Sequence, residues 1–104
     1  MQLKKLLPLC LLSIILASPF SLMAADTGKG KVLYQEKCAA CHGADGKAVL
    51  PGSPNFNKGD RMEKSNVVLK KSVLNGLNAM PPFKGALSDA NVGDVLAYIR
   101  KLKK

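Results

Sequence analysis

Residues 88–102 carry the clearest helical pattern in the chain. Val92, Val95, Leu96, Ile99 and Leu102 fall at offsets 0, 3, 4, 7 and 10, which places them on one face of a helix. Ser88 stands where an N-cap is wanted, and lysines crowd the last turn, where cations suit the negative end of the helix dipole. A second face is spelled by Gly30, Leu33, Tyr34, Cys38 and Cys41 at offsets 0, 3, 4, 8 and 11, with Asp26-Thr27 as its cap. Gly30 costs that helix about 1 kcal/mol relative to alanine, so it marks either a close approach of another backbone or a frayed start. A shorter helix is expected over 65–75, with Val68, Leu69 and Val73, and Ser72 beside them, facing inward. Gly76 is expected to end it in a left-handed cap. The stretch 43–59 is rich in Gly, Pro, Asn and Ser and reads as loop. Met80-Pro81-Pro82-Phe83 reads as extended, because a residue before proline avoids helix. No strand pattern and no repeat is visible.

The start of the chain is of another kind. Lys4 and Lys5 precede an apolar tract from Leu6 to Ala17, broken only by Ser13 and holding Pro8. Ser18 to Ala24 then ends in a small residue, Ala24. This is the three-part pattern of a secretory signal, and cleavage after Ala24 is expected. An uncleaved anchor fits less well, because Ser13, Ser18, Pro19 and Ser21 make a poor spanning helix. Cys10 reads as an apolar filler of the signal. Residues 1–24 are thus assigned to a signal peptide and 25–104 to one small domain of 80 residues.

Charge narrows the partners. The whole chain is +9, and loss of Lys4 and Lys5 leaves +7. A basic chain can meet nucleic acid, membrane surfaces or acidic proteins. Export argues against nucleic acid, and no aromatic residues interleave the lysines as a single-strand groove would need. Acidic-faced proteins are the expected partners of a monomer that is not an integral membrane protein. The plainer alternative is a lysine surface that only keeps the protein soluble.

Chemistry concentrates in Cys38-Ala39-Ala40-Cys41-His42, the C-x-x-C-H signature of covalent haem attachment. Two thiols add to the two porphyrin vinyls. Side chains at i and i+3 of a helical turn stand on one face with Cβ atoms about 5–6 Å apart, which suits that task. His42, four positions after Cys38, shares the face and can reach the iron. A dithiol redox motif would need a thioredoxin-like βαβ pattern, which is missing. A structural zinc site would need four N or S ligands, and outside Cys10 the chain has two Cys and one His. A domain this small buries little surface by itself, so a haem would supply much of its core, and the haem-free chain is expected to be poorly ordered.

With these residues in place, the chain resembles the class I c-type cytochromes of small bacterial type. The resemblance rests on Gly30 and Tyr34 before Cys38, on Pro54-Asn55-Phe56, on Met80-Pro81, and on the closing run Asp94-Val95-Leu96-Ala97-Tyr98-Ile99. It covers residues 28–102 in order. It implies an all-α small cytochrome c fold, with three to four helices wrapped around one covalently bound haem c. It further implies that Gly30 and Tyr34 pack against Tyr98, and that the Pro54 carbonyl accepts the Nδ1 proton of His42. Met80 would place its thioether on the iron opposite His42. His42 and Met80 are 38 positions apart, a short connection that leaves the haem edge on that side more exposed.

The sixth ligand decides the function. A His/Met pair fills both axial positions and leaves electron transfer as the chemistry. The domain has two methionines. Met62 sits among charges and reads as a surface or packing residue, whereas Met80 sits in an Ala-Met-Pro-Pro-Phe stretch. Met80 is the expected ligand; its alternative is a gap-filling methionine beside a five-coordinate haem. His42 is the only histidine, so no distal histidine exists to support an enzyme. The expected function is a periplasmic electron carrier. The alternative is a haem-bearing subunit or ligand-binding sensor attached to a larger redox enzyme. Electrons would cross at the haem edge, with Lys37 and Lys84 as its expected rim.

Overall fold

The computed structural model describes residues 24–104. The signal assigned to residues 1–24 therefore lies, but for Ala24, outside the described residues. Four helices follow in order: α1 (Thr27–Lys37), α2 (Ala39–His42), α3 (Asn66–Asn75) and α4 (Asp89–Arg100). A 3-10 turn at Phe56–Lys58 interrupts the long loop between α2 and α3. Among the described residues there are no strands, only the isolated bridges Leu77–Met80 and Lys84–Leu87.

Each long helix begins where a short polar side chain offers an oxygen to an unpaired N–H group. The Asp26 carboxylate accepts from the Lys29 nitrogen at 3.0 Å, and the Ser65 hydroxyl accepts from that of Val68 at 3.3 Å. At α4 the exchange is reciprocal. Ser88 Oγ accepts from the Asn91 nitrogen at 3.0 Å, while Asn91 Oδ1 accepts from the Ser88 nitrogen at 3.4 Å.

The core lies where α1 crosses α4. Gly30 and Tyr34 of α1 are buried against Val92, Val95, Leu96 and Ile99 of α4. A Cβ built on Gly30 would overlap the backbone carbonyl of Asp94 and stand 3.0 Å from the Val95 nitrogen. Gly30 therefore marks a close backbone approach rather than a frayed end. The Asp94 carboxylate also accepts from the Asp26 backbone nitrogen at 2.8 Å, which pins the start of α1 to the middle of α4.

The first helix runs to the C-x-x-C-H stretch, as expected. Cys38 takes φ −121° and ψ −32°, which ends α1 and starts α2 at the same residue. Two expectations need correction. In α3, Leu69, Val73 and Leu74 pack on the core, whereas Val68 is 44% exposed. The inner stripe follows the 69–73 spacing, and Val68 sits to its side. Gly76 has the positive φ of 83° but ψ of 161°, outside the left-handed helical basin. Its extended ψ lets Leu77 and Met80 close a tight turn through N···O contacts of 3.1 and 2.9 Å, and a Cβ there would lie 2.8 Å from the Met80 carbonyl.

Candidate haem-binding site

The short helix α2 is built to present its side chains in a fixed order. The His42 and Cys41 nitrogens donate to the Cys38 carbonyl at 2.9 and 3.2 Å, so the turn from Cys38 to His42 stays helical despite the break before it. The following loop folds back on the same turn. Val49 and Leu50 both donate to the Cys41 carbonyl, at 2.9 and 3.0 Å. Below it, the Tyr34 hydroxyl donates to the Gly43 carbonyl at 2.6 Å and joins α1 to the end of α2.

His42 is buried at 9% exposure, and its ring stacks on Phe56 with centroids 4.6 Å apart and planes 22° from parallel. Burial lowers its pKa, against the smaller upward pull of the Pro54 carbonyl, and so favours the neutral imidazole that can act as a metal ligand. Nδ1 is buried without a hydrogen bond of full geometry. The Pro54 carbonyl, expected to accept the Nδ1 proton, pulls the ring's pKa upward but makes no hydrogen bond to that nitrogen.

A cavity of about 440 Å³ opens above this ring. Cys38, Cys41, His42, Pro54 and Met80 all line it, so the structure brings together every residue that the sequence marked for the site. Leu69 and Val73 of α3 and Leu96 and Ile99 of α4 give it apolar walls. Met62 lines it too, and its side chain packs on the core, so it is a packing residue rather than a surface one. Cys38 and Cys41 form no disulfide with each other. Burial pushes the Cys38 thiol up to about 11, with Lys37 pulling down and Cys41 adding to the rise. A dithiol oxidoreductase needs the opposite, a depressed thiol. Among the described residues no group of three or more His, Cys, Asp or Glu side chains could hold a bare metal ion.

Of the two lysines expected at the rim, only Lys37 lines the cavity. Lys84 lies instead in a separate groove with Lys70, Lys71 and Asp89, because the Lys84 backbone nitrogen is tied to the Leu74 carbonyl at 3.0 Å and follows α3. Sequence reasoning missed Phe56 as the stacking partner of His42, although it stood in the Pro-Asn-Phe run. It also missed Asn55, whose side-chain oxygen accepts from the Ala48 nitrogen at 2.9 Å and braces the loop beside Pro54.

An aromatic-backed histidine, two thiols on the preceding turn and an apolar slot fit a flat macrocycle with a nitrogen-seeking metal. Known proteins agree. The family described as cytochrome C oxidase, cbb3-type, subunit III matches residues 25–99. Cytochrome c6 of Nostoc sp. is 36% identical over 92% of this chain and 91% of its own length. Cytochrome c6 of Synechocystis sp. is 37% identical over 83% and 77% of the two chains. The solved cytochrome c6 of the diatom Phaeodactylum tricornutum superposes with a TM-score of 0.64 at 32% identity, over 74% of this chain and 93% of its own. The chain belongs to the small class I c-type cytochromes. It carries one covalently bound haem c and is a small electron carrier, not an enzyme. No helix among the described residues is long and apolar enough to cross a membrane.

Proposed function

We propose that this cytochrome is exported to the periplasm by a signal at residues 1–24, and that there it passes single electrons between acidic-faced redox proteins through an iron held by His42 and Met80. The convergence of Cys38, Cys41, His42, Pro54 and Met80 on one cavity supports the reading. Cys38 and Cys41 would carry the two thioether links. His42 offers a neutral ring nitrogen, oriented by the Phe56 stack and biased by the Pro54 carbonyl. The haem iron supplies a one-electron couple when bound. A Met80 thioether is a soft donor that favours the reduced state, and with His42 it leaves no open position for a substrate. The apolar walls from α3 and α4 keep water from the site.

The discriminating experiment compares Met80→Ala with Met62→Ala in the ferric haem protein. The weak sulfur–iron charge-transfer band is expected to vanish in the Met80 variant and persist in the Met62 variant. Met80→Ala should also lower the potential and open the iron to fast carbon monoxide binding, which in the parent must wait for Met80 to leave. Loss of the band in the Met62 variant alone would overturn the assignment. The rival role is a haem-bearing subunit or ligand-binding sensor attached to a larger periplasmic redox enzyme.

Docking adds a second prediction. Electron transfer needs only small, quickly reversed contacts, and opposite charge speeds the encounter. Lys37 stands at the cavity. The second-order rate with a small anionic oxidant should fall as salt shortens the Debye length from about 10 Å at 0.1 M to about 3 Å at 1 M. Lys37→Glu should lower the low-salt rate. A flat salt profile would leave the lysines as solubilising groups.

A further inference from the structure

We propose that Arg100 is a positioning residue for the haem cavity: it holds the wall formed by Arg61–Asn66 closed, and through that wall it governs how far water and small ligands reach the iron. Arg100 ends α4 and does not itself line the cavity. Its guanidinium makes four hydrogen bonds to one distant segment. Nη1 donates to the Met62 carbonyl at 3.0 Å, and Nη2 donates to the Lys64 carbonyl at 2.8 Å. Nε and Nη2 both donate to Asn66 Oδ1, at 3.1 and 2.8 Å.

The segment needs such a hold. Asp60 ties its start to Asn55 through backbone and side chain, but from Arg61 to Lys64 its backbone bonds are local turns, Met62 to Gly59 and Lys64 to Arg61. Arg61 takes φ of 70°, a left-handed conformation that a non-glycine residue keeps only under constraint. Yet Arg61 and Met62 face the cavity, and Asn66 opens α3, whose Leu69 and Val73 line it as well. Among the side-chain hydrogen bonds of the described residues, those of Arg100 tie this wall to the core helix, beside the packing of Met62 and of α3. A planar fork with five donors can serve two carbonyls and an amide oxygen at once, whereas a lysine ammonium offers a single point charge. Solvent access to a haem is one of the levers on its potential. The inference rests on haem lying in this cavity and not on which residue is the sixth ligand.

The test uses the haem-loaded protein and three variants, Arg100→Ala, Arg100→Lys and Asn66→Ala. Amide hydrogen exchange is followed across 61–66 and across α1. The midpoint potential and the carbon monoxide association rate of the ferrous protein are measured alongside. Arg100→Ala is expected to speed exchange in 61–66 by roughly tenfold or more while leaving α1 unchanged, as local opening does. It should lower the potential and speed carbon monoxide binding. Arg100→Lys should resemble the alanine variant, and Asn66→Ala should fall between it and the parent. Faster exchange with potential and carbon monoxide binding unchanged would overturn the proposal, leaving a plain tether. Exchange that rises equally in α1 would overturn it too, as global destabilisation. If Arg100→Ala does not accumulate, Asn66→Ala decides by the same readings, since it removes two bonds and keeps the guanidinium. Should the parent lack a sulfur–iron band, the ligand assignment fails while the exchange data still judge Arg100.

Discussion

Gly30→Val is expected to lower the thermal midpoint of the haem protein by roughly 10–25 °C, or to prevent its accumulation. The clash is of backbone on side chain, because the added Cβ overlaps the Asp94 carbonyl with the Val95 nitrogen close behind. No rotamer of valine avoids it, since the Cβ position is set by the main chain. The helices must move apart, and that loosens Tyr34, Val92 and Val95, each at most 1% exposed. Overpacking costs about 1–3 kcal/mol and a backbone clash stands at the top of that range, while a domain of this size loses about 4–8 °C per kcal/mol. The gain in helix propensity from replacing glycine is only a fraction of 1 kcal/mol for a β-branched residue, so it cannot offset the clash. Thermal unfolding followed in the far ultraviolet checks this. An unchanged midpoint would mean that the crossing is not a tight contact.

The second large effect is expected at Tyr34, and two substitutions separate its causes. The ring is fully buried, 5.4 Å from Tyr98 and 6.5 Å from Phe56 between centroids, and its hydroxyl serves the Gly43 carbonyl. Tyr34→Phe keeps the packing and strips that carbonyl of its donor, for about 1–3 kcal/mol. Tyr34→Ala also empties the space, for about 3–5 kcal/mol. Denaturant titrations of both variants measure the two. A phenylalanine variant as weak as the alanine one would assign the whole effect to the hydroxyl. Burial also pushes the Tyr34 phenol well above its ordinary value of 10.0. The folded phenol therefore stays neutral where the unfolded one ionises. Stability is unaffected below pH 10 and falls as pH rises beyond it, and Tyr34→Phe should remove that part of the alkaline loss.

What could be read from the sequence was local or carried by a motif. Asp26, Ser65 and Ser88 cap the helices that their spacing announced, and the α4 stripe from Val92 to Ile99 is the buried face. The five site residues meet in one cavity as expected. What could not be read lies in contacts between distant positions. Arg100 reaches residues 34 to 38 positions away, and no periodicity contains that information. Lys84 was misplaced for a similar reason. Its neighbours in sequence belong to the Met80 segment, but its backbone pairs with the end of α3. Val68 was misjudged because an apolar residue in a short helix has no long stripe to register against. The break at Cys38 escaped because the offsets on either side remain helical.

The contacts of α3 differ in kind from those between α1 and α4. The latter two press protein directly on protein, through Gly30, Tyr34, Val92 and Val95. By contrast, Leu69 and Val73 turn part of the inner face of α3 toward the cavity. Binding free energy at that surface is folding free energy for α3, much as metal binding is for a metal-dependent domain. Seating the macrocycle should therefore raise the local stability of α3 more than that of the α1–α4 crossing.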